Sequence, residues 1–382
     1  MKKVGIITTF RQPNWGSVLQ AYALQRVVSK IGYDVEVIDY KYPNVFHWER
    51  GLQWGKPPKR SIGFFFKHLK SNIACYAGLR AWPMMKLMNI FIAKEMKVSR
   101  CFVNHNDLHL NPPYYDIYLS GSDQIWNPNT MLGDMSYLFD FAPEGCQKIS
   151  YASSFSCLSV AESLRAEYKK YLSQYTAISV RENNGKKVVK DLTGRDAQVV
   201  LDPTLLLDAV EWTEIASKAK QTNLPEKYIL CYMLSYTFAV DEPMGVLLQK
   251  IQDKYNMPVI ALKSMPKSFN GNVFDLPKSY NKGIPEFLYL IKNASIVVSS
   301  SFHGTAFSLN FGKPLIALAA TNEDDRVCSI LEMAGLTNQL VLAENVLSSE
   351  VNPYYDIETE QYNIDKLRQM SITYLKNALR HD

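Results

Sequence analysis

Short β-rich runs alternate with helix-patterned stretches along almost the whole of this 382-residue chain, and that alternation limits the possible folds more than any other feature. Neighbouring parallel strands need a crossover of a dozen or more residues, usually a helix, so the pattern predicts stacked βαβ units with parallel sheets. The opening unit is explicit. Residues 4–9 read as a strand, and 17–31 place Val18, Leu19, Ala23, Leu24, Val27, Val28 and Ile31 at helical spacing. Gly32 can end that helix, and 35–39 return as a strand. Further strands are predicted at 117–120, 149–152, 177–180 and 198–201, with a second set at 229–233, 259–262, 296–299 and 315–318. The polar, proline-containing run 221–227 reads as a linker between the sets. After Asn352-Pro353 a helical pattern covers 365–379. The expected organisation is an α/β chain with two Rossmann-like domains facing a cleft, 1–220 and 228–350, followed by a helical piece at 360–382. Doubly wound domains bind ligands beyond the C-terminal ends of their strands, so strand-end loops are where function is sought. No G-x-G-x-x-G follows the first strand, which leaves a nicotinamide or flavin cofactor unsupported.

Hydrophobic residues make up 47% and charged residues 21%, which fits a soluble globular protein and argues against long disorder. The start MKKVGIITTF lacks a secretory pattern, no run of 18 apolar residues occurs, and six cysteines are scattered without C-x-x-C spacing. Together these predict a cytoplasmic chain with reduced thiols. The net charge of +5 is unevenly placed: residues 56–100 carry ten Lys or Arg against Glu95 alone, a local +9 that leaves −4 elsewhere. Phe64-Phe65-Phe66, Trp82, Met84, Met85 and Ile90-Phe91-Ile92 are interleaved with those cations. This composition suits an element that holds the protein peripherally against an anionic membrane; a basic helical pair packed on the protein body is the alternative. No recognition motif accompanies the charge, so nucleic acid is not an expected partner.

Three strand-end segments carry the residues suited to chemistry. In Ser299-Ser300-Ser301-Phe302-His303-Gly304-Thr305-Ala306, hydroxyls and a histidine stand where a strand gives way to a helix. Free N–H groups at such a start attract anions, and His303 can donate a proton beside one; a capped helix with a buried histidine is the plain structural alternative. In Ser120-Gly121-Ser122-Asp123-Gln124-Ile125-Trp126-Asn127, an aromatic ring stands among groups that read sugar hydroxyls. In Asn14-Trp15-Gly16-Ser17, Gly16 permits close backbone approach, while Asn14 and Ser17 can cap the helix or touch a ligand. Arg181 ends the 177–180 strand and has the fork for a carboxylate or phosphate. Asp202-Pro203 reads as a turn. His105 and His109 are spaced i, i+4 as metal ligands can be, with Asp107 between them, but Asn111-Pro112-Pro113 follows at once and neither acid nor cysteine elsewhere completes a convincing set, so no metal is expected.

In this order these pieces resemble the polysaccharide pyruvyl transferase family. The resemblance rests on NWGSVLQAYAL at 14–24, SGSDQIWNP at 120–128, YASSF at 151–155, SVRE at 179–182, LDPTLLL at 201–207 and SSFHGTAFSLNFGKPLIAL at 300–318, and so spans nearly the whole chain. It implies a GT-B-like glycosyltransferase architecture whose last helix returns to the N-terminal domain, with 56–100 as an insertion. It implies phosphoenolpyruvate as donor, a sugar hydroxyl pair as acceptor, phosphate as by-product, and no cofactor. By the resemblance, His303 and Asp123 are catalytic. Arg181, Ser300, Ser301, Phe302, Gly304 and Thr305 bind the donor, and Asn14, Trp15, Gly16, Ser122, Gln124 and Trp126 bind the acceptor. A lipid-linked oligosaccharide at the inner face of the membrane is the expected acceptor, in keeping with the basic segment. One departure stands out: many members carry Arg-Leu-His where this chain has Ser301-Phe302-His303, leaving Arg181, Lys263, Lys313 and Arg326 as available cations. A nucleotide-sugar glycosyltransferase on the same architecture, with Glu323, Asp324 or Asp325 on a ribose, is the alternative activity.

Overall fold

The computed structural model describes residues 1–41, 82–131, 133–220, 222–234, 239–277, 280, 282–321 and 326–380. Its first sheet is wholly parallel. Strands β1 (Lys3–Ile7), β2 (Asp34–Tyr40), β3 (Val98–Phe102), β4 (Ile117–Ser120) and β5 (Gln147–Ser150) lie in the order β3-β2-β1-β4-β5. Bridges Ile149–Ala177 and Ser153–Val180 continue it to the parallel pair β6 (Ser179–Val180) and β7 (Gln198–Val199). A second parallel sheet holds β8 (Ile229–Tyr232), β9 (Val259–Ala261), β10 (Ile296–Ser299), β11 (Leu315–Ala319) and β12 (Leu340–Leu342), ordered β12-β11-β10-β8-β9. The runs IYLS, ILCY, IVVS and LIALA are buried at every position. That is why they show no polar alternation: helices cover both faces of a parallel sheet.

The helix Trp15–Ile31 shows how local sequence sets the boundaries. Asn14, extended at φ −140°, accepts a hydrogen bond from the Gly16 N–H, and Gly32 ends the helix at φ 112°, where a β-carbon would be strained. From its first turn the Trp15 indole enters the second domain. It stacks on Phe287 at 5.1 Å, meets the edge of Tyr232 at 5.9 Å, and donates from Nε1 to Lys282 O at 3.1 Å. Asn310, at the end of the helix Phe302–Asn310, answers from the other side by donating to the carbonyls of Thr204 and Leu207. The largest apolar cluster accordingly runs through both domains.

The last helix, Ile357–Arg380, crosses between them. Gln361 bonds to Leu309 O in the second domain, whereas Arg368 bonds to Leu205 O, Ser371 to the Leu201 N–H, and Tyr374 to Ser150 O in the first. Two facing Rossmann-like domains tied by such a helix make the architecture GT-B-like.

The sequence reading needs correction in the basic segment. The helix Trp82–Glu95 packs on Trp15–Ile31, with Met88, Phe91 and Ile92 buried and Phe91 against Tyr22 at 5.4 Å; of the Ile90-Phe91-Ile92 triplet only Ile90 is exposed. Residues 98–102 form β3, so the stretch from 82 onward is integral to the first domain rather than inserted in it. Lys97 and Arg100 are paired with Asp34 and Asp107. Residues 56–81, with Phe64-Phe65-Phe66, lie outside the described residues. Among the described residues no helix is long and apolar enough to cross a membrane.

Candidate active site

Strand order reverses between β1 and β4 in one sheet and between β8 and β10 in the other. The crevices outside the C-terminal ends of strands at such points are where doubly wound domains hold ligands, and here the two meet. On the first side β4 runs into Gly121, at φ 133°, where a β-carbon would lie 1.9 Å from the Tyr151 carbonyl oxygen. The tight turn this permits delivers Ser122 and Asp123. Asp123 Oδ2 accepts from Ser17 Oγ at 2.8 Å and Thr9 Oγ1 at 3.4 Å. Its Oδ1 accepts from the Gln124 N–H at 2.9 Å and faces Arg181 Nη2 at 3.5 Å and Arg326 Nη1 at 3.9 Å. Gln20 braces this turn, accepting from the Ser122 N–H and donating to Thr8. Arg181, leaving β6, is fully enclosed and donates through Nη1 to Asp202 Oδ2 at 2.8 Å. Asp202 leaves the neighbouring β7 and is fixed by the N–H and hydroxyl of Thr204.

On the second side the hydroxyls shape the turn. Ser301 caps the helix Phe302–Asn310 by accepting from the Gly304 N–H. Ser300 accepts from the Leu234 N–H, Ser299 from the Ser301 N–H, and Thr305 donates to Ser301 O. The Phe302 ring lies 4.4 Å from the Arg181 guanidinium and 6.0 Å from that of Arg326, so cation–π attraction helps hold both. The His303 imidazole sits against Gly16, where a β-carbon would come within 2.1 Å of the ring; any side chain there would displace the imidazole. Both His303 Nε2 and Arg181 Nε are buried without a hydrogen-bond partner among the described residues.

Electrostatics follow from this packing. Burial alone would raise the Asp123 pKa, but Arg181, His303, Arg326 and the Ser17 hydroxyl outweigh it and hold the carboxyl at about 2. Burial likewise opposes ionisation of Asp202, and Arg181 chiefly overcomes it, so its pKa is lowered. The Arg181 pKa is raised: burial disfavours its charge, and Asp202, Asp123 and Glu182 more than compensate. Burial is the main cause of a lowered His303 pKa, with Arg181 and Arg326 adding to it and the two aspartates opposing. The resting site is thus two carboxylates balancing two guanidiniums around a histidine that favours its neutral form. Negative charge placed beside the ring would shift that balance toward the imidazolium.

Of the residues singled out from sequence, Gly16, Ser122, Asp123, Arg181, Phe302 and His303 converge here. Gln124 joins them: with its amide oxygen turned toward Arg326 it accepts from Nη1 at 2.9 Å and Nη2 at 2.5 Å. Ser300, Ser301, Gly304 and Thr305 build the turn that presents His303. Asn14 caps its helix, and Trp15 is committed to the domain interface. Trp126 offers no face to the cleft; it is wholly buried against Phe155 and Tyr175, with Nε1 bonded to Tyr137 O. The turn reading missed Asp202, and Arg326 stood only among the spare cations. The available signal for Asp202 was that β6 and β7 are successive parallel strands, so residues just past both ends emerge together. Glu323, Asp324 and Asp325 lie outside the described residues.

The family model described as polysaccharide pyruvyl transferase matches residues 14–322. The sequence matches no curated protein. Among solved structures, the chain is similar to UDP-N-acetylglucosamine 2-epimerase from Rickettsia bellii, at 11% identity and TM-score 0.47 over 98% of this chain and 96% of that one. It is also similar to UDP-GlcNAc 2-epimerase from Methanocaldococcus jannaschii, at 11% identity and TM-score 0.40 over 96% and 99%, and to the spinosyn rhamnosyltransferase SpnG, at 11% and 0.39 over 98% and 96%. None of these likenesses bears on substrate.

Proposed function

The chain belongs to the polysaccharide pyruvyl transferase family, and from that premise we propose that it transfers the enolpyruvyl unit of phosphoenolpyruvate to a pair of sugar hydroxyls, forming a cyclic ketal and releasing phosphate. One observation carries the reading: among the described residues His303 Nε2 is buried without a hydrogen-bond partner, within electrostatic reach of Arg181, Arg326, Asp123 and Asp202. A proton donor without a competing acceptor, flanked by guanidiniums, is what protonating a bound enol phosphate requires.

In the proposed sequence the donor's negative charge raises the His303 pKa, and the imidazolium gives its proton to the methylene carbon. The C=C electron pair forms that C–H bond and leaves an oxocarbenium centre at C2. One sugar hydroxyl bonds to C2 and its proton passes to His303. The C2–O bond to phosphate then breaks, the second hydroxyl takes its place, and its proton leaves with the phosphate, so histidine ends as it began. Arg181 and Arg326 stabilise charge on the carboxylate and the departing phosphate. Arg326 thereby serves as the cation that many members carry at the position of Ser301. A carboxyl held at about 2 is a weak base, which suits Asp123 to orienting a hydroxyl and balancing the guanidiniums rather than to deprotonation.

For the acceptor we assign a lipid-linked oligosaccharide at the cytoplasmic face of the membrane. Support comes from composition: residues 56–81 carry six Lys or Arg and no acid.

The donor assignment is tested by thermal unfolding. Ligand that binds only the folded state raises the melting temperature by mass action. Phosphoenolpyruvate is expected to stabilise the wild type, and Arg326→Gln to lose most of that rise while its ligand-free melting temperature changes little. A full rise in the variant would remove Arg326 from donor binding.

A further inference from the structure

Away from this cleft, the helix His105–Leu110 and the chain just past the turn Met135–Leu138 bring three ligand-type side chains to one point. We propose that His105, His109 and Asp140 form a binding site for a first-row divalent transition ion, zinc foremost. The i, i+4 spacing lays the two imidazoles on one helix face, with ring centroids 3.9 Å apart. His105 Nε2 is 2.9 Å from Asp140 Oδ2, His109 Nε2 is 3.0 Å from Asp140 Oδ1, and the ligand atoms of all three residues lie within 4.8 Å of one another. Tetrahedral zinc with bonds of about 2.0–2.2 Å sets its ligand atoms roughly 3.3 Å apart, so only small side-chain movements separate this cluster from a coordination sphere.

A second observation points the same way. The Asp140 side chain is 6% exposed, and its Oδ1 makes no hydrogen bond among the described residues, although His109 Nε2 is close by. Proximity without hydrogen-bond alignment leaves a buried carboxylate oxygen unsatisfied, a costly state that a coordinated cation relieves. Two imidazoles with one carboxylate suit zinc and its neighbours, whereas magnesium and calcium prefer oxygen ligands throughout. The His109 side chain is 33% exposed, which gives the ion a route in and leaves an open position for water. Phe141 edges the His109 ring, and the adjoining cluster of Tyr118, Tyr137 and Phe139 belongs to the core of the first domain. The ion would therefore pin the 105–110 helix, which follows the edge strand β3, to the chain around Asp140. None of the residues placed in the catalytic cleft takes part.

The test uses the full chain, stripped with a chelator that is then removed, and zinc chloride as the probe. One equivalent of zinc should bind, and a saturating amount should raise the melting temperature by a few degrees, while magnesium or calcium at the same concentration does not. His105→Gln and His109→Gln, which keep the helix and the buried Asp140, should each weaken zinc binding at least tenfold. The proposal fails if zinc leaves the melting temperature unchanged, or if the double variant still takes up one equivalent as tightly as the wild type, which would assign the ion to the cysteines or another surface group.

Discussion

Replacing His303 by asparagine is expected to lower kcat by at least about a hundredfold, within the ~10²–10⁴ range typical of a single general acid. Phosphoenolpyruvate should still raise the variant's melting temperature, because Arg181 and Arg326, the cations proposed to bind it, remain. The lowered pKa of His303 fixes the sign of the accompanying pH dependence. The reaction needs the imidazolium, so kcat/KM rises as pH falls and levels off only below the ordinary histidine range. Bound donor brings negative charge beside the ring and raises its pKa, so the corresponding limb of kcat lies at higher pH. Both limbs should vanish in His303→Asn. Unchanged phosphate release in the variant would exclude His303 from proton transfer.

The second large effect falls on stability. Arg181→Met should destabilise the protein by about 3–5 kcal/mol, since removing one partner of a buried ion pair strands the other. Here it takes from Asp202 its ion-pair partner, leaving only hydrogen bonds from Thr204 and Ser122, and deprives Asp123 of its nearer guanidinium. Natural stabilities are on the order of 5–15 kcal/mol, so the urea midpoint should drop markedly and activity should disappear with it. Arg181→Lys should rescue neither: a single ammonium cannot reach Asp202 and Asp123 while lying flat on Phe302. Adding Asp202→Asn, which keeps the oxygen that caps Thr204, should restore part of the stability and none of the turnover. A wild-type urea midpoint for Arg181→Met would mean that the pair does not tie the site to the fold.

These two residues also mark what the sequence could reveal. Parallel strands buried on both faces announce themselves as unbroken apolar runs, and the runs at 117–120 and 296–299 coincide with β4 and β10. β3 escaped because an edge strand with the sequence VSRCF can expose charge on one side, so its arginine read as part of a basic tract. β12 is three residues long, too short for any periodicity. In the site, His303 and Asp123 were legible because each directly follows a central strand at a reversal of strand order. Asp202 was not, because its role depends on an arginine 21 positions earlier and on the pairing of β6 with β7. Trp126 shows the opposite limit. Its ring is packed on Phe155 and Tyr175 with Nε1 bonded to Tyr137 O, a placement that residue types alone do not specify. Asp140 lies 31 residues beyond His109, so only the folded chain shows it completing that set.

Pyruvyl transfer from phosphoenolpyruvate to a sugar can be followed as inorganic phosphate released while the protein is given phosphoenolpyruvate with a panel of free and lipid-linked oligosaccharides. Phosphate release should depend on acceptor, match ketal formation one for one, and be fastest with a lipid-linked acceptor. No phosphate from phosphoenolpyruvate with any acceptor, together with nucleotide release from an activated sugar, would contradict it and make the protein a glycosyltransferase.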